Sequence, residues 1–249
     1  MDTMASLRRQ IGRVIFSAPP GLKLQEIVQR IMRGPRTATI LANGRPFQCW
    51  TSEKYFWLGD HYESDLQAII KQDLSGDAIF YDVGAHAGFW PALLAGRCAH
   101  IFAFETSPVN YKRLCSNLTP FVNVTPVNAA VSERSGTLHF REKGTMSMVI
   151  ETGGTVVQAI CLDEFVAAGN PSPHVVKIDV EGHAAKCLGG MQRVIRMHRP
   201  VLFIDVHNGE EEQATKNLPG YTTELLDKAR RFPYRIRVAP ILAGRSSLR

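Results

Sequence analysis

The stretch AIFYDVGAHAGFW, residues 78–90, decides the fold. Its first half, residues 78–83, is a short apolar run with the density of a strand buried on both faces. It passes at once into two glycines, Gly84 and Gly88, set in a turn, and the text beyond them reads as helix. A doubly buried strand that turns through glycines into a helix is the opening unit of a parallel sheet covered on both sides.

The same alternation continues on either side. Downstream, apolar runs at residues 100–104, 122–131, 174–180 and 200–207 read as strands. Residues 137–141 and 156–162 read as strands flanking a glycine-rich excursion, and residues 184–197 as a helix. Residues 222–231 have helical spacing, and 234–238 close the pattern as a last strand. Upstream, residues 63–72 carry apolar positions at helical spacing and end at Ser75-Gly76-Asp77. Residues 1–60 form a preamble: a helix, a break at Gly34-Pro35, and β-like text at 37–41 and 47–50. The expected architecture is therefore an α/β fold, doubly wound and Rossmann-like, with a mostly parallel sheet and helices on both faces. It occupies residues 61–249 behind the preamble.

Bulk properties narrow the class. A chain of 249 residues suits one large α/β domain, and 45% hydrophobic with 21% charged residues is ordinary globular composition. No apolar run approaches the roughly 18 residues of a membrane span. The net charge of +6 and the pI of about 9.2 favour anionic partners. The cations are scattered rather than gathered in a tract, which argues against dedicated nucleic-acid binding. Five cysteines without a CxxC pair suggest reduced thiols and a cytoplasmic setting. In residues 1–20, Arg8, Arg9 and Arg13 alternate with Leu7, Ile11, Val14, Ile15 and Phe16. That amphipathic pattern allows contact with a membrane surface or a transit role, and the preferred reading is a surface helix packed on the domain.

In doubly wound sheets ligands bind at the carboxyl ends of the strands, near the switch in strand order. Four segments supply candidates there. Gly84 and Gly88, with His86 between them, permit a tight turn and close approach of a ligand to backbone. The helix that follows offers its N-terminal N–H groups to an anion, and Asp82 at the strand end can accept from an ammonium group. An acid beside a glycine turn suits a zwitterionic amino-acid moiety better than a pyrophosphate. The spacing GxxxG, in place of GxGxxG, also counts against a dinucleotide. Glu105, ending the next strand about 20 residues on, can take both hydroxyls of a ribose. Nucleoside binding follows, and the glycine spacing leans it towards S-adenosylmethionine.

On the segment 175–179, period-two alternation puts Lys177 and Asp179 on one face, with Glu181 just beyond. A lysine in an apolar strand requires a carboxylate or several acceptors, so an ion pair and a catalytic role are both open readings. Asp205 and His207 share a face by the same parity, and a histidine at a strand end can serve as general base. His183 and His86 are weaker candidates of the same kind. Asp179, Glu181, Asp205 and His207 together could take magnesium or manganese, though a metal is not the favoured reading. Trp50, Tyr55, Phe56, Trp57 and Trp90 either line an apolar pocket or belong to the core.

These motifs, taken in order, resemble the FkbM-type methyltransferase family. The resemblance rests on Tyr62-Glu63, YDVGAHAG (81–88), FETSPVN (104–110) with Asn117, NAAVSERSG (128–136), VVKIDVEGH (175–183) and RPVLFIDVH (199–207). It implies the class I methyltransferase fold and methyl transfer from S-adenosylmethionine to hydroxyl oxygens of small natural products and sugars. It further implies that Asp82, Gly84, Gly88 and Glu105 hold the cofactor and that Asn128 and Ala129 border the adenine. The chain departs from the family pattern at His86 and at Ala184. Its tail after Val238 is short for a closing hairpin, which leaves room for the last antiparallel strand to be absent. For the catalytic step the candidates are His207 or Asp179 as base, with Glu181 beside them. Three competing readings are an RNA methyltransferase, a non-catalytic S-adenosylmethionine-binding module acting through partners, and an NAD-dependent oxidoreductase.

Overall fold

The computed structural model describes residues 37–51, 53, 58–142, 148–227 and 231–241, together with residues 6, 10, 11, 13 and 14. Apart from those last five, the expected amino-terminal helix lies outside the described residues, as do Tyr55, Phe56 and Trp57. The chain divides into two compact units, Met1–Ala68 and Ile69–Arg249. The division falls inside helix α1 (Ser64–Asp73).

In the first unit, β1 (Thr37–Ala42) and β2 (Arg45–Trp50) pair antiparallel. The two-residue loop Asn43-Gly44 has φ of 50° and 73°, the positive values that a twisted tight hairpin demands. Asp60 holds this loop by accepting from the Asn43 N–H at 2.9 Å.

The second unit is built on a seven-stranded sheet in the order β12-β13-β11-β10-β3-β4-β5. Here β3 is Ile79–Val83, β4 His100–Phe104, β5 Val124–Val127, β10 Val175–Ile178, β11 Val201–Val206, β12 Tyr221–Leu225 and β13 Tyr234–Pro240. The five strands from β11 to β5 are mutually parallel, and β13 is antiparallel to both its neighbours. The chain enters at β3, winds outward through β4 and β5, then returns to the other side of β3 as β10 and β11. The switch in winding direction therefore lies between β3 and β10.

The connecting helices are α2 (Phe89–Leu94), α3 (Pro108–Leu118), α4 (Leu162–Ala167), α5 (Ala184–Gly189), α6 (Gln192–His198) and α7 (Gly209–Lys216). Between β5 and α4 a second sheet forms from β6 (Ala130–Val131), β7 (Gly136–Arg141), β8 (Met148–Ile150) and β9 (Thr155–Ile160), in the order β6-β9-β7-β8. The parallel strands are near-continuously apolar because both faces are covered. Tyr81 shows how: its ring packs edge-on against Phe102, Phe104 and Phe165, while its hydroxyl donates to the Pro171 carbonyl at 2.6 Å. None of the described helices is long and apolar enough to cross a membrane.

Three expectations need correction. Residues 222–231, with helical spacing, open instead with the strand β12, and β12 with β13 supplies the closing antiparallel hairpin in full. Asp227 secures that hairpin, accepting from the Arg235 backbone N–H at 2.6 Å and from its guanidinium. The single helix expected over 184–197 is two, α5 and α6. At the break, a Cβ on Gly190 would stand 2.0 Å from the Ser132 carbonyl oxygen, so the chain must turn there without a side chain. The run 122–131 likewise divides into β5 and β6, which belong to different sheets.

Candidate active site at the sheet switch point

The carboxyl ends of β3, β4, β10 and β11 converge on one edge of the sheet, and the residues picked from the sequence stand there. Asp82, in β3, is fully buried and lies opposite Lys177 of β10 in the strand register. The chain then enters the glycine turn. Gly84 and Ala85 donate to the Phe104 carbonyl at 3.0 and 2.9 Å, tying the turn to the end of β4.

Both glycines are required by the protein's own packing. Gly84 has φ of +87°, and a Cβ there would sit 2.0 Å from the Asp179 carbonyl oxygen of the neighbouring strand end. Gly88, at φ +88°, would meet Leu114 of α3 at 2.8 Å. The close approach expected for a ligand is thus made in part by β10 and α3. Asn117 of α3 donates to the Ala87 carbonyl at 2.8 Å and holds the turn from behind. The helix expected to face an anion, α2, is only six residues long and is buried throughout.

Glu105, 7% exposed, receives the turn from the other side. Its Oε2 accepts from the His86 backbone N–H at 2.8 Å and its Oε1 from Ser107 at 2.7 Å. The Asn110 side chain hydrogen-bonds the same carboxylate. Burial, reinforced by the Asp82 charge, lifts Glu105 to about 7 against the pull of those two N–H groups. Asn128 donates to the Glu105 carbonyl at 2.8 Å and so borders the same pocket edge, with buried Ala129 beside it. Ser107 begins α3 as its cap and hydrogen-bonds Glu142.

The second group of candidates lies beyond β10 and β11. Lys177, 2% exposed, forms an ion pair with Asp179 at 3.1 Å, which answers the buried lysine's need for a carboxylate. Burial pushes the Asp179 carboxyl up, but Lys177 outweighs it, and the net position is below the ordinary value. His207 Nε2 lies 3.6 Å from Glu181, and its Nδ1 lies 3.1 Å from the Asp205 carbonyl and 3.7 Å from Glu211. Burial opposes charge on this ring, yet Glu211, Glu181 and Asp179 hold it protonated up to about 9. His86 has the opposite fate: burial, aided by Arg113 and Lys177, lowers it to about 4 and leaves it neutral. His183 is taken up by the Ser132 hydroxyl at 3.1 Å, and Trp90 is buried in α2.

Asp179, Glu181 and His207 each bring one ligand-type atom within 4.8 Å of the others, a set open to a divalent cation. Asp205, the fourth residue expected in that set, is not part of it; its backbone carbonyl faces His207 Nδ1 at 3.1 Å. One residue of this cluster escaped the reading of the sequence: Glu211, whose buried carboxylate accepts from the backbone N–H groups of His207 and Ala184. The spacing Asn208-x-x-Glu211, a helix-start signature, was the signal for it.

Comparison with known proteins is consistent with this arrangement. The family model of the methyltransferase FkbM domain matches residues 82–236, more than half of the chain. The hexuronic acid methyltransferase AglP of Haloferax volcanii is 28% identical over 207 residues, covering 80% of this chain and 82% of that protein. The crystal structure of a methyltransferase FkbM from Methylobacillus flagellatus superposes with a TM-score of 0.52 at 17% identity. That match covers 66% of this chain and 44% of the crystallised one, so this chain spans less than half the length of that relative. An rRNA methylase from Streptococcus thermophilus gives a TM-score of 0.50 at 13% identity, over 71% of this chain and 95% of its own. The two structures share the fold, a Rossmann-like sheet with helices. With its family model matched from the β3 acid to the closing hairpin, this chain belongs to the FkbM methyltransferase family.

Proposed function

We propose that the chain transfers a methyl group from S-adenosylmethionine to a hydroxyl of a small acceptor, and that the acceptor is a sugar acid. The observation that carries this is the placement of an acid-flanked glycine turn and a titratable cluster on adjacent strand ends of one switch point. When bound, S-adenosylmethionine supplies an electrophilic methyl group on a sulfonium. Glu105, fixed by the His86 and Ser107 N–H groups and by Asn110, would hold the ribose hydroxyls, and Asp82 would face the amino-acid end. The Gly84–Gly88 turn with His86, and Asn128 with Ala129, would enclose the rest.

Methyl transfer to an oxygen also needs removal of the hydroxyl proton and a fixed angle of attack. Asp179 is the group in basic form at neutral pH. His207, charged below about 9, is suited there to hold an anionic acceptor, and becomes a base only as the pH approaches that value. Glu181 faces the same space from beside His207. The sugar-acid reading draws on the relative named for a hexuronic acid and on the chain's net charge of +6, which favours anionic acceptors. No metal is required for this scheme.

The test is release of S-adenosylhomocysteine with a panel of glucuronides, galacturonides, neutral glycosides and RNA. Turnover with the uronides, and little with neutral glycosides, is the expected result. Turnover with RNA alone would replace this reading, and no product from any acceptor would leave only a binding module.

A further inference from the structure

Glu211 stands in the first turn of α7, and its side chain is completely buried. Oε1 accepts from the N–H of Ala184, the first residue of α5, at 2.7 Å. Oε2 accepts from the N–H of His207 at 2.6 Å and lies 3.7 Å from that residue's Nδ1. Asn208 caps the helix, its Oδ1 accepting from the Glu211 N–H at 3.0 Å. In the usual reciprocal cap the glutamate reaches back to the N–H of the capping residue itself. Here it passes that residue by and takes the N–H groups of two different loops. Capping α7 requires neither bond, and a carboxylate stripped of water is costly unless each oxygen is engaged.

We infer that Glu211 is the positioning residue for methyl transfer. It holds the His207 ring with Nδ1 turned inward, towards the Asp205 carbonyl at 3.1 Å and its own Oε2. Nε2 is thereby left facing Glu181 and the space in front of Asp179. Through Ala184 the same carboxylate fixes the start of α5 and, with it, the loop that carries Asp179 and Glu181 away from β10. A single buried group therefore sets the spacing between residues that arrive from two strands. The groups facing the ring are Asp179 and Glu181 after β10, the Asp205 carbonyl on β11 and Glu211 on α7. The inference rests on the proposal that the acceptor lies beside Asp179 and His207.

Glu211→Gln, which keeps the size and one acceptor oxygen, tests it in two ways. The first needs no acceptor: ¹⁵N-histidine spectra at pH 7.5, with the His207 ring signals identified by their loss in His207→Ala. The wild-type ring is expected with a hydrogen-bonded Nδ1–H, and in E211Q its signals shift. The Kd for S-adenosylmethionine stays within twofold, because its site lies on β3 and β4. Unchanged His207 signals in E211Q, or equal loss of cofactor affinity, would overturn the role. A freely turning His207 ring in the wild type would overturn it as well, whether or not the variant folds.

The second is kinetic, with a glucuronide acceptor. In E211Q kcat falls at least tenfold with the KM for S-adenosylmethionine within twofold, and in a His207→Ala background the same change has no further effect. Equal losses in both backgrounds would refute action through His207. If no acceptor is methylated by the wild type, the acceptor proposal fails while the ring signals still decide the role of Glu211.

Discussion

Replacing Glu105 by glutamine separates what this carboxylate does for the cofactor from what it costs the fold. In the unfolded chain its carboxyl titrates near the ordinary 4.5, and in the folded chain burial holds it at about 7. The folded protein keeps this proton where the unfolded chain has lost it. Stability from this group is therefore fully present below about 4.5 and is lost as the pH rises through 7. At about 1.4 kcal/mol for each tenfold, the interval corresponds to about 3 kcal/mol as an upper bound. Glutamine keeps the size and removes the titration, although its NH2 faces one of the two N–H groups at every pH. Urea melts of the cofactor-free protein should then show the stability of E105Q relative to wild type rising by about 2–3 kcal/mol between pH 5 and pH 8. An equal difference at both pH values would refute the claim that this site keeps a strained, desolvated carboxylate for its ligand.

Gly84→Ala places a Cβ 2.0 Å from the Asp179 carbonyl at a φ of +87°, so a loss above about 3 kcal/mol, or no folded protein, is expected in thermal melts. Arg237→Ala removes both 2.7 Å bonds from Arg237 to Asp73 at a part-buried site. It should cost about 1–2 kcal/mol in urea unfolding without altering cofactor affinity. Turnover should survive EDTA, because Lys177 and the proton on His207 already answer the carboxylates. A loss reversed by manganese would instead put a cation among Asp179, Glu181 and His207.

The parallel core was legible because strands buried on both faces are largely apolar, and residues 78–83, 100–104, 174–180 and 200–207 are so except at a few polar positions. The positions of Asp82, Glu105, Asp179 and His207 followed from strand ends alone. The closing hairpin was misread because Leu225 and Leu226 lend residues 222–231 a helical period. Pairing with β13 and the Asp227–Arg235 contact override that period, and both involve residues beyond the 222–231 window. The break between α5 and α6 was hidden for a similar reason. Gly190 looks like a tolerated helix glycine until Ser132, brought from another strand, fills the space of its missing side chain. The need for Gly84 was legible, but its cause was not, since the atom that excludes a side chain belongs to β10. Parity placed His207 at the site, but not the carboxylates that favour its charged form, Asp179 and Glu181 after β10 and Glu211 on α7.

The most direct test is calorimetric titration of the purified chain with S-adenosylmethionine, beside NAD and the Glu105→Ala variant. Loss of two charge-assisted hydrogen bonds should weaken binding at least about a hundredfold, at about 1.5–3 kcal/mol for each bond to a charged group. The account predicts binding of S-adenosylmethionine alone, and its loss in the variant. Absence of binding, or equal binding by the variant, would contradict the placement of the cofactor at the ends of β3 and β4.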